Sequence, residues 1–297
     1  MRLNYDTFTG RRSAFVCTAF VLILLMWAAF AVFSQEIVKS LSPYLNGNRL
    51  VAAQLLIQNG LVVAAVLIAA LVTERKRSLK EKLGLNMAPE YSLRFLLPVF
   101  VLAVLVTFGA QIGLSYLLKA FGREPKEQSM VEFFRTLKPL GFIGFALITV
   151  IAAPIAEELA FRHIFYRFVR VFLYRKEAAV AVSLIFALFH VPFTRQAEGA
   201  PFPWEMFVVP VIPLFLLALF LQREYEKSKS VIPSTLIHMG FNLISVFLLA
   251  LQVLYPPKEA PADPSAPADQ PAVEAPADPS VPADQPVQAV LVWDYNG

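Results

Sequence analysis

The chain has 297 residues, of which 57% are hydrophobic and only 16% charged, and its formal net charge is +4. Its mean hydropathy of +0.60 is far above that of ordinary soluble domains, so the composition excludes a water-soluble globular protein and predicts a membrane protein. A basic pI is also typical of nucleic-acid binders. Here the cations border apolar runs and do not form one face, so we predict no nucleic-acid partner.

Several apolar runs approach or reach the roughly 20 residues that a helix needs to cross about 30 Å of hydrocarbon. They lie at residues 14–33, 50–72, 95–118, 140–160, 178–192, 207–221 and 231–255. We therefore predict an all-α, polytopic transmembrane helical bundle of about seven spans in a lipid bilayer, within a range of six to eight. The first run is too long for a secretory signal and lacks a small-residue cleavage site, so we interpret it as a retained anchor.

Lysine and arginine are concentrated in alternate connecting segments. Such basic segments stay on the cytoplasmic side of a membrane. The sequence thereby predicts a cytoplasmic N-terminus, with residues 1–13, 73–94, 162–177 and 222–230 on the inner side. An odd number of spans then places the C-terminal tail outside the cytoplasm. Cys17 is the only cysteine, which excludes an intramolecular disulfide and a thiolate zinc site.

Two adjacent carboxylates, Glu157 and Glu158, end the fourth apolar run. An ionisable group at a bilayer centre costs about 2.5–3.5 kcal/mol, so this pair predicts a functional site. Glu158 and Arg162 are four residues apart and can pair on one helix face, whereas Glu157 points about 100° away. Pro154, one turn earlier, removes a backbone donor and loosens the helix there. We expect Glu158 to be held by arginine and Glu157 to be free for chemistry; an ion pair that only packs helices is the alternative.

Two of the three later apolar runs contribute a histidine. The sequence from Phe186 to His190 ends the fifth run, and His238 lies in the last run with Asn242 four residues on, on the same face. If the helix of Glu157 turns near residue 175, the next run returns antiparallel. At about 1.5 Å per residue, Glu157 then lies about 28 Å and His190 about 21 Å from the turn, at nearly the same depth. An interfacial histidine and a hydrogen-bonded pair joining two helices are the alternatives for these motifs.

The C-terminal tail has a different composition. Residues 259–273 and 274–288 are two copies of a fifteen-residue repeat rich in Pro, Ala and Asp, and residues 289–297 become apolar and aromatic again. The repeats have too little apolar surface to offset the entropy of ordering, so we predict a disordered, partly polyproline-II tail. An envelope partner for this tail is a hypothesis. The predicted divisions are 1–139 for N-terminal helices and loops, 140–256 for a catalytic membrane core, and 257–297 for the tail.

The three motifs E-E-x-x-x-R, F-x-x-x-H and H-x-x-x-N, in this order and in successive apolar runs, resemble those of the CPBP family. These are the CAAX-processing and bacteriocin-processing intramembrane endopeptidases, also called the Abi family, which includes the type II CAAX prenyl endopeptidases. The resemblance covers roughly residues 140–254. It implies a hydrolase that cuts a peptide bond of a membrane-associated protein or peptide. The family usually has glycine after the arginine, and His163 stands there instead.

The resemblance also implies roles for six residues. Glu157 and His190 would activate a water, and His238 and Asn242 would stabilise the oxyanion. Glu158 and Arg162 would support the site. The chemistry agrees, because donors aimed at a developing oxyanion contribute about 3–4 kcal/mol each. Glu157, His190 and His238 could also bind zinc and leave a position open for water. The H-E-x-x-H arrangement is absent, and metal-free activation by glutamate and histidine is the alternative. No other cofactor is expected.

Other classes of function compete with a protease. A transporter or channel would spread polar residues along a path and repeat its spans, whereas here they cluster in three motifs. A non-proteolytic membrane scaffold, immunity or adaptor protein would retain the fold without using Glu157. A scaffold gains nothing from several ionisable groups in lipid, which favours the enzyme. His163 is not among the predicted catalytic residues.

Overall fold

The computed structural model describes residues 11–45, 47–73, 78–123, 137, 139–191 and 204–255. All regular structure in these ranges is helical, which confirms the all-α prediction. The eight helices there are α1 (Arg11–Leu41), α2 (Gly47–Thr73), α3 (Leu79–Lys82), α4 (Leu96–Ala120), α5 (139–169), α6 (Arg175–Phe189), α7 (Trp204–Ser228) and α8 (Val231–Leu254). A single 3₁₀ turn, Leu93–Phe95, precedes α4. The predicted disordered tail lies outside the described residues, and the three predicted divisions stay a prediction.

Six of the described helices are long and apolar enough to cross a membrane, and this is a multi-pass membrane protein. Their spanning segments are Ala14–Leu41, Arg49–Thr73, Leu93–Ala120, Gly141–Val169, Phe207–Ser228 and Val231–Gln252. The predicted span at 178–192 is not among them. The helix found there, α6, has 15 residues. At about 1.5 Å per residue it is about 22 Å long, which is too short to cross the hydrocarbon.

One end of the bundle collects segments that the positive-inside rule predicts to be cytoplasmic. The His163 Nε2 of α5 lies 2.9 Å from the Lys82 carbonyl oxygen of α3. The backbone N–H of Val231, at the start of α8, donates to the Gly84 carbonyl oxygen at 2.9 Å. We call this the basic end of the bundle, after Arg167, Arg175, Arg223 and Lys227. Which side of the membrane it faces stays a prediction.

The described chain begins and ends at opposite ends of the bundle. The ring of Phe15, near the start of α1, lies 5.9 Å from the ring of His163 at the basic end. The 24 residues of α8 start at that end and extend about 36 Å away from it. Between Arg175 at the basic end and the start of α7 the chain passes to the other end, although α6 is short. The odd number of crossings predicted for the tail is therefore consistent with the arrangement of the helices.

The helix α5, which carries the glutamates, is not a uniform α-helix. Two π segments, Ile148–Ala152 and Glu158–Phe165, interrupt its α turns. Between them lies the α segment Ala153–Glu157, with Pro154 in its first turn. Since proline has no backbone N–H, the hydrogen-bond ladder cannot continue through it unchanged. The predicted loosening ahead of the carboxylates takes the form of a change of helix type, a feature that is frequent at functional sites.

Three apolar clusters hold the described helices together. The largest joins α1, α2, α5, α6 and α7, a smaller one joins α4, α7 and α8, and a third around Phe145 joins α2, α5 and α8. In the largest cluster, the ring of Phe20 stacks on Phe168 at 4.1 Å and on Phe165 at 5.4 Å. In the cluster of α4, α7 and α8, a Cβ at Gly240 would lie 2.7 Å from the ring of Phe100 and would displace it. Glycine at this position therefore lets α4 and α8 approach closely.

Candidate active site

The two adjacent glutamates of α5 have different surroundings. Glu158 and Arg162 are 0% and 1% exposed, and Arg162 Nε lies 3.3 Å from Glu158 Oε2. The side chain of Glu157 is 26% exposed. The predicted Glu158–Arg162 pair is confirmed, because both residues lie on one helix face and that face is buried. Removing one partner of such a buried ion pair strongly destabilises the folded protein, because the remaining charge is left uncompensated.

Arg162 is also held by α6 and α7. Its Nη2 donates to the Ala218 carbonyl oxygen of α7 at 3.4 Å. Its guanidinium carbon lies 4.4 Å from the ring centroid of Phe186 on α6. A cation over a desolvated aromatic face gains about 2 kcal/mol. Arg162 thus fixes three helices around the carboxylate that it neutralises.

His190 caps the C-terminus of α6, directly opposite Glu157. Its Nδ1 lies 2.7 Å from the Phe186 carbonyl oxygen. A carbonyl only accepts, so Nδ1 carries the proton and the Nε2 of a neutral ring presents a lone pair. That Nε2 lies 3.5 Å from Glu157 Oε2. The depth argument placed these two side chains at one level, and the structure brings them into contact.

His238 of α8 connects both glutamates. Its Nδ1 lies 3.1 Å from Glu158 Oε1, and its Nε2 lies 3.7 Å from Glu157 Oε2. The carboxylate of Glu158 accepts, so here too Nδ1 is the donor and Nε2 is turned toward Glu157. The sequence placed His238 beside Asn242 on one face of the helix but did not show that it bridges the two carboxylates. We call Glu157, Glu158, Arg162, His190 and His238 the carboxylate–histidine cluster.

Asn242, the remaining predicted site residue, has its carboxamide engaged on α5. Its Nδ2 donates to the Thr149 carbonyl oxygen at 2.9 Å. It is half-buried and lies one turn beyond His238 on α8. Asn242 is therefore near the cluster, but this hydrogen bond goes to the π segment that precedes Glu157 and not to a carboxylate.

Phe186 is a residue of the site that the sequence named only as part of a motif. It is fully buried. Its ring lies 4.5 Å from the ring of His190 and 5.7 Å from that of His238, measured between centroids. Its spacing of four residues from His190 was the available signal, because it places ring and imidazole on one helix face. Phe186 orients both histidines with its ring and fixes the His190 tautomer with its carbonyl.

The similarity to known proteins is confined to the part of the chain that carries these residues. The family model described as type II CAAX prenyl endopeptidase, Rce1-like, matches residues 139–244. The chain carries a CAAX-protease (CPBP) domain. The match confirms the resemblance inferred from the three motifs, and it spans α5, α6, α7 and the first part of α8. No curated protein and no solved structure is significantly similar to the chain.

The departure at position 163 lies inside the CAAX-protease domain but contacts residues outside it. His163 is buried, and besides Lys82 its ring meets Gly84, whose missing Cβ leaves the space that the imidazole occupies. The helix does not end at this histidine but continues to Val169. His163 therefore joins α5 to α3 at the basic end. It takes no part in the carboxylate–histidine cluster.

The CAAX-protease domain has donor types that suit zinc, since two imidazole nitrogens and one carboxylate oxygen converge. Both imidazoles also donate their Nδ1 protons to other acceptors, as metal-binding histidines commonly do. Nevertheless, in the described part of the chain no group of three His, Cys, Asp or Glu side chains is arranged to hold a metal ion. The zinc hypothesis from the sequence therefore stays a prediction.

Proposed function

We propose that this protein is an intramembrane endopeptidase that hydrolyses a peptide bond of a membrane-associated protein or peptide. The observation that carries the proposal is the convergence of two imidazole Nε2 atoms, from His190 and His238, on Glu157 Oε2. Within the described residues this buried oxygen has no hydrogen-bond partner. A buried carboxylate oxygen left without a donor is costly unless a ligand or water completes it. The CAAX-protease domain supports the reaction class, since its family is generally proteolytic.

Glu157 is the proposed general base and His190 its partner in holding the water. The Phe186 carbonyl fixes the Nδ1 proton of His190, so that Nε2 accepts a hydrogen bond from the water. Glu157 Oε2 accepts the other proton of the same water. A base positioned within hydrogen-bond reach of the proton it removes typically contributes about 10²–10⁴-fold in rate.

The proposed reaction needs no group besides water and substrate. Glu157 takes one proton from the water while the water oxygen bonds to the carbonyl carbon of the scissile peptide, forming a tetrahedral oxyanion. The carbon–nitrogen bond then breaks, and the proton on Glu157 passes to the departing nitrogen. The products are a carboxylic acid and an amine, and Glu157 is again ionised.

His238 and Asn242 are the proposed sources of oxyanion donors. His238 Nε2 can donate to the oxyanion only when both ring nitrogens carry a proton, and its Nδ1 is held by the Glu158 carboxylate. Asn242 has a second amide N–H besides the one that it gives to Thr149. Glu158 and Arg162 are supporting residues, since they orient His238 and contribute one negative and one positive charge.

The test compares protein termini in membranes from cells that express the wild type, Glu157→Gln or His190→Gln at matched levels. We expect the same cleavage products to be absent in both variants and present with Glu81→Gln, which removes an exposed carboxylate of α3 that does not belong to the cluster. The missing termini identify the substrates and whether they are prenylated. If no terminus changes while a cellular phenotype survives both substitutions, the protein is a scaffold or adaptor.

The role of a metal is tested on the purified protein. The metal-free proposal predicts that the rate of product formation is unchanged after treatment with a chelator and removal of bound metal. A loss of activity that zinc alone restores would assign Glu157, His190 and His238 as ligands, and the reaction would then need a metal-bound route. Metal content measured before and after treatment is the control.

A further inference from the structure

The hydrogen-bond ladder of α5 has a gap three residues before Glu157. The backbone N–H of Ala153 donates to the Ile148 carbonyl oxygen, which is the π register. In that register the next donor, at position 154, would serve the Thr149 carbonyl. Position 154 is a proline and has no N–H. Pro154 thus removes the one backbone donor that the register directs at Thr149.

A side chain from another helix fills this gap. Asn242 Nδ2 of α8 donates to the Thr149 carbonyl oxygen at 2.9 Å. Thr149 lies within a membrane-spanning segment, where a carbonyl without a donor costs several kcal/mol in the absence of water. The carboxamide therefore replaces the amide that proline lacks, and α8 satisfies the backbone of α5.

We propose that Asn242 is a positioning residue that acts through Glu157, by completing the helix at Pro154. This inference rests on the proposed function and gives Asn242 a role that is an alternative to the oxyanion donation described above; the test below separates the two. Glu157 ends the α segment that follows the gap, so any slip of the register there moves its carboxylate relative to His190. The link to Thr149 removes that freedom.

The same helix face of α8 holds α5 at two points. Asn242 binds Thr149 ahead of Pro154, and His238, one turn earlier in α8, binds Glu158 after it. The α segment that carries Glu157 is therefore fixed at both its ends by α8. A displacement of about 1 Å at a reacting group lowers rates by about a hundredfold, so this arrangement has a direct consequence for catalysis.

The test is a double-mutant cycle between Asn242→Ala and Pro154→Ala. Alanine at position 154 restores a backbone N–H where Thr149 needs one, so it should make Asn242 dispensable. An oxyanion donor, in contrast, is needed whether or not the helix has a proline. The control is Ser245→Ala in α8, since the Ser245 hydroxyl donates to the Phe241 carbonyl of its own helix.

Two measurements are made on each variant: Tm in detergent, and the rate of forming those products that disappear with Glu157→Gln. In the Pro154 background we expect Asn242→Ala to lower Tm by about 2–4 °C and kcat by about ten- to a hundredfold, with KM nearly unchanged. In the Pro154→Ala background we expect Asn242→Ala to lower Tm by less than about 1 °C and kcat by less than about threefold. Ser245→Ala should match the wild type in both measurements.

Equal losses of kcat in the two backgrounds would overturn the positioning role and leave Asn242 as an oxyanion donor. Equal losses of Tm in the two backgrounds would show that Asn242 does not replace the missing amide, which also overturns the proposal. If the wild type forms no such products, the proposed function fails. The Tm cycle then decides by itself whether Asn242 completes the helix at Pro154.

Discussion

Two groups of carboxylates lie in this bundle, and they are satisfied to different degrees. At the basic end, Glu224 accepts from Tyr91 at 2.9 Å and from Arg223 at 3.1 Å. Glu226 accepts from Tyr166 and from Arg175. Both oxygens of each carboxylate are thus occupied. We call these residues the basic-end cluster.

In the carboxylate–histidine cluster the pairing is incomplete. The buried Oε2 atoms of Glu157 and Glu158 have no hydrogen-bond partner within the described residues, although each lies near a nitrogen. Leaving a buried acceptor without a donor costs about 1–3 kcal/mol, more for a charged group. The comparison teaches that charge inside a membrane protein does not by itself indicate a reaction. What distinguishes the two clusters is hydrogen-bonding capacity that the protein leaves unused.

The sharpest way to separate the clusters is Glu157→Gln. We expect product formation to fall by about 10²–10⁴-fold, because the amide cannot accept the proton of the water. Stability should hold or rise, because a half-buried charge is removed. The measurement is the rate of product formation together with Tm in detergent. Unchanged product formation would show that Glu157, like Glu224, has a structural role and not a catalytic one.

Arg162→Met tests the stability of the incomplete cluster. Removing the guanidinium leaves the buried Glu158 charge uncompensated, so we expect a loss of about 3–5 kcal/mol in the free energy of unfolding. Adding Glu158→Gln to this variant should recover a large part of that loss, because the unpaired charge is then gone. Equilibrium unfolding in mixed micelles measures both. A loss that the second substitution does not reduce would contradict the ion-pair explanation.

Glu226→Ala tests the satisfied cluster. Tyr166 and Arg175 lose their acceptor, so we expect a loss of about 1–3 kcal/mol in the free energy of unfolding. Product formation should stay within about threefold of the wild type under conditions where the variant is folded. The comparison between the two clusters breaks down if this variant is as inactive as Glu157→Gln at equal stability.

Tyr91→Phe should give the smallest effect, about 1 kcal/mol, because one hydrogen bond to Glu224 is lost. Burial and then the interactions with Glu224 raise the pKa of Tyr91 above its ordinary value. A raised folded-state pKa gives stability that is complete below the unfolded pKa of about 10 and is lost as the pH rises through the folded value. The advantage of the wild type over Tyr91→Phe should therefore shrink above about pH 10. Unfolding curves at pH 8 and pH 10.5 measure it.

Sequence patterns predicted the features that depend on spacing along one helix. The Glu158–Arg162 pair follows from a separation of four residues and burial on one face. The common depth of Glu157 and His190 follows from the helix rise per residue, because both helices run from the same turn near residue 175 and depth can be measured from that turn. The predicted span at 178–192 is not found as a membrane-crossing helix. The run has only 15 residues, as does α6, and that length is too short to cross the hydrocarbon as a helix.

The connections between helices could not be predicted, because they depend on how each helix is rotated and how closely it packs. Nothing in the spacing shows that His238 reaches both glutamates. Asn242 has the same four-residue spacing from His238 whether it faces an oxyanion or the Thr149 carbonyl. The π register that leaves this carbonyl without a backbone donor is likewise a result of packing.

The sequence by itself determined that the chain is a helical membrane protein and which polar side chains it carries into the hydrocarbon. Composition and the spacing of residues on single helices decide both, because a span needs apolar length and each helix face is set by a period of 3.6 residues. The tertiary structure alone decided that His238 bridges the two glutamates, which imidazole nitrogen faces Glu157 and which donor completes α5 at Pro154. These depend on contacts between residues up to 93 positions apart, and such contacts form only when the helices have packed.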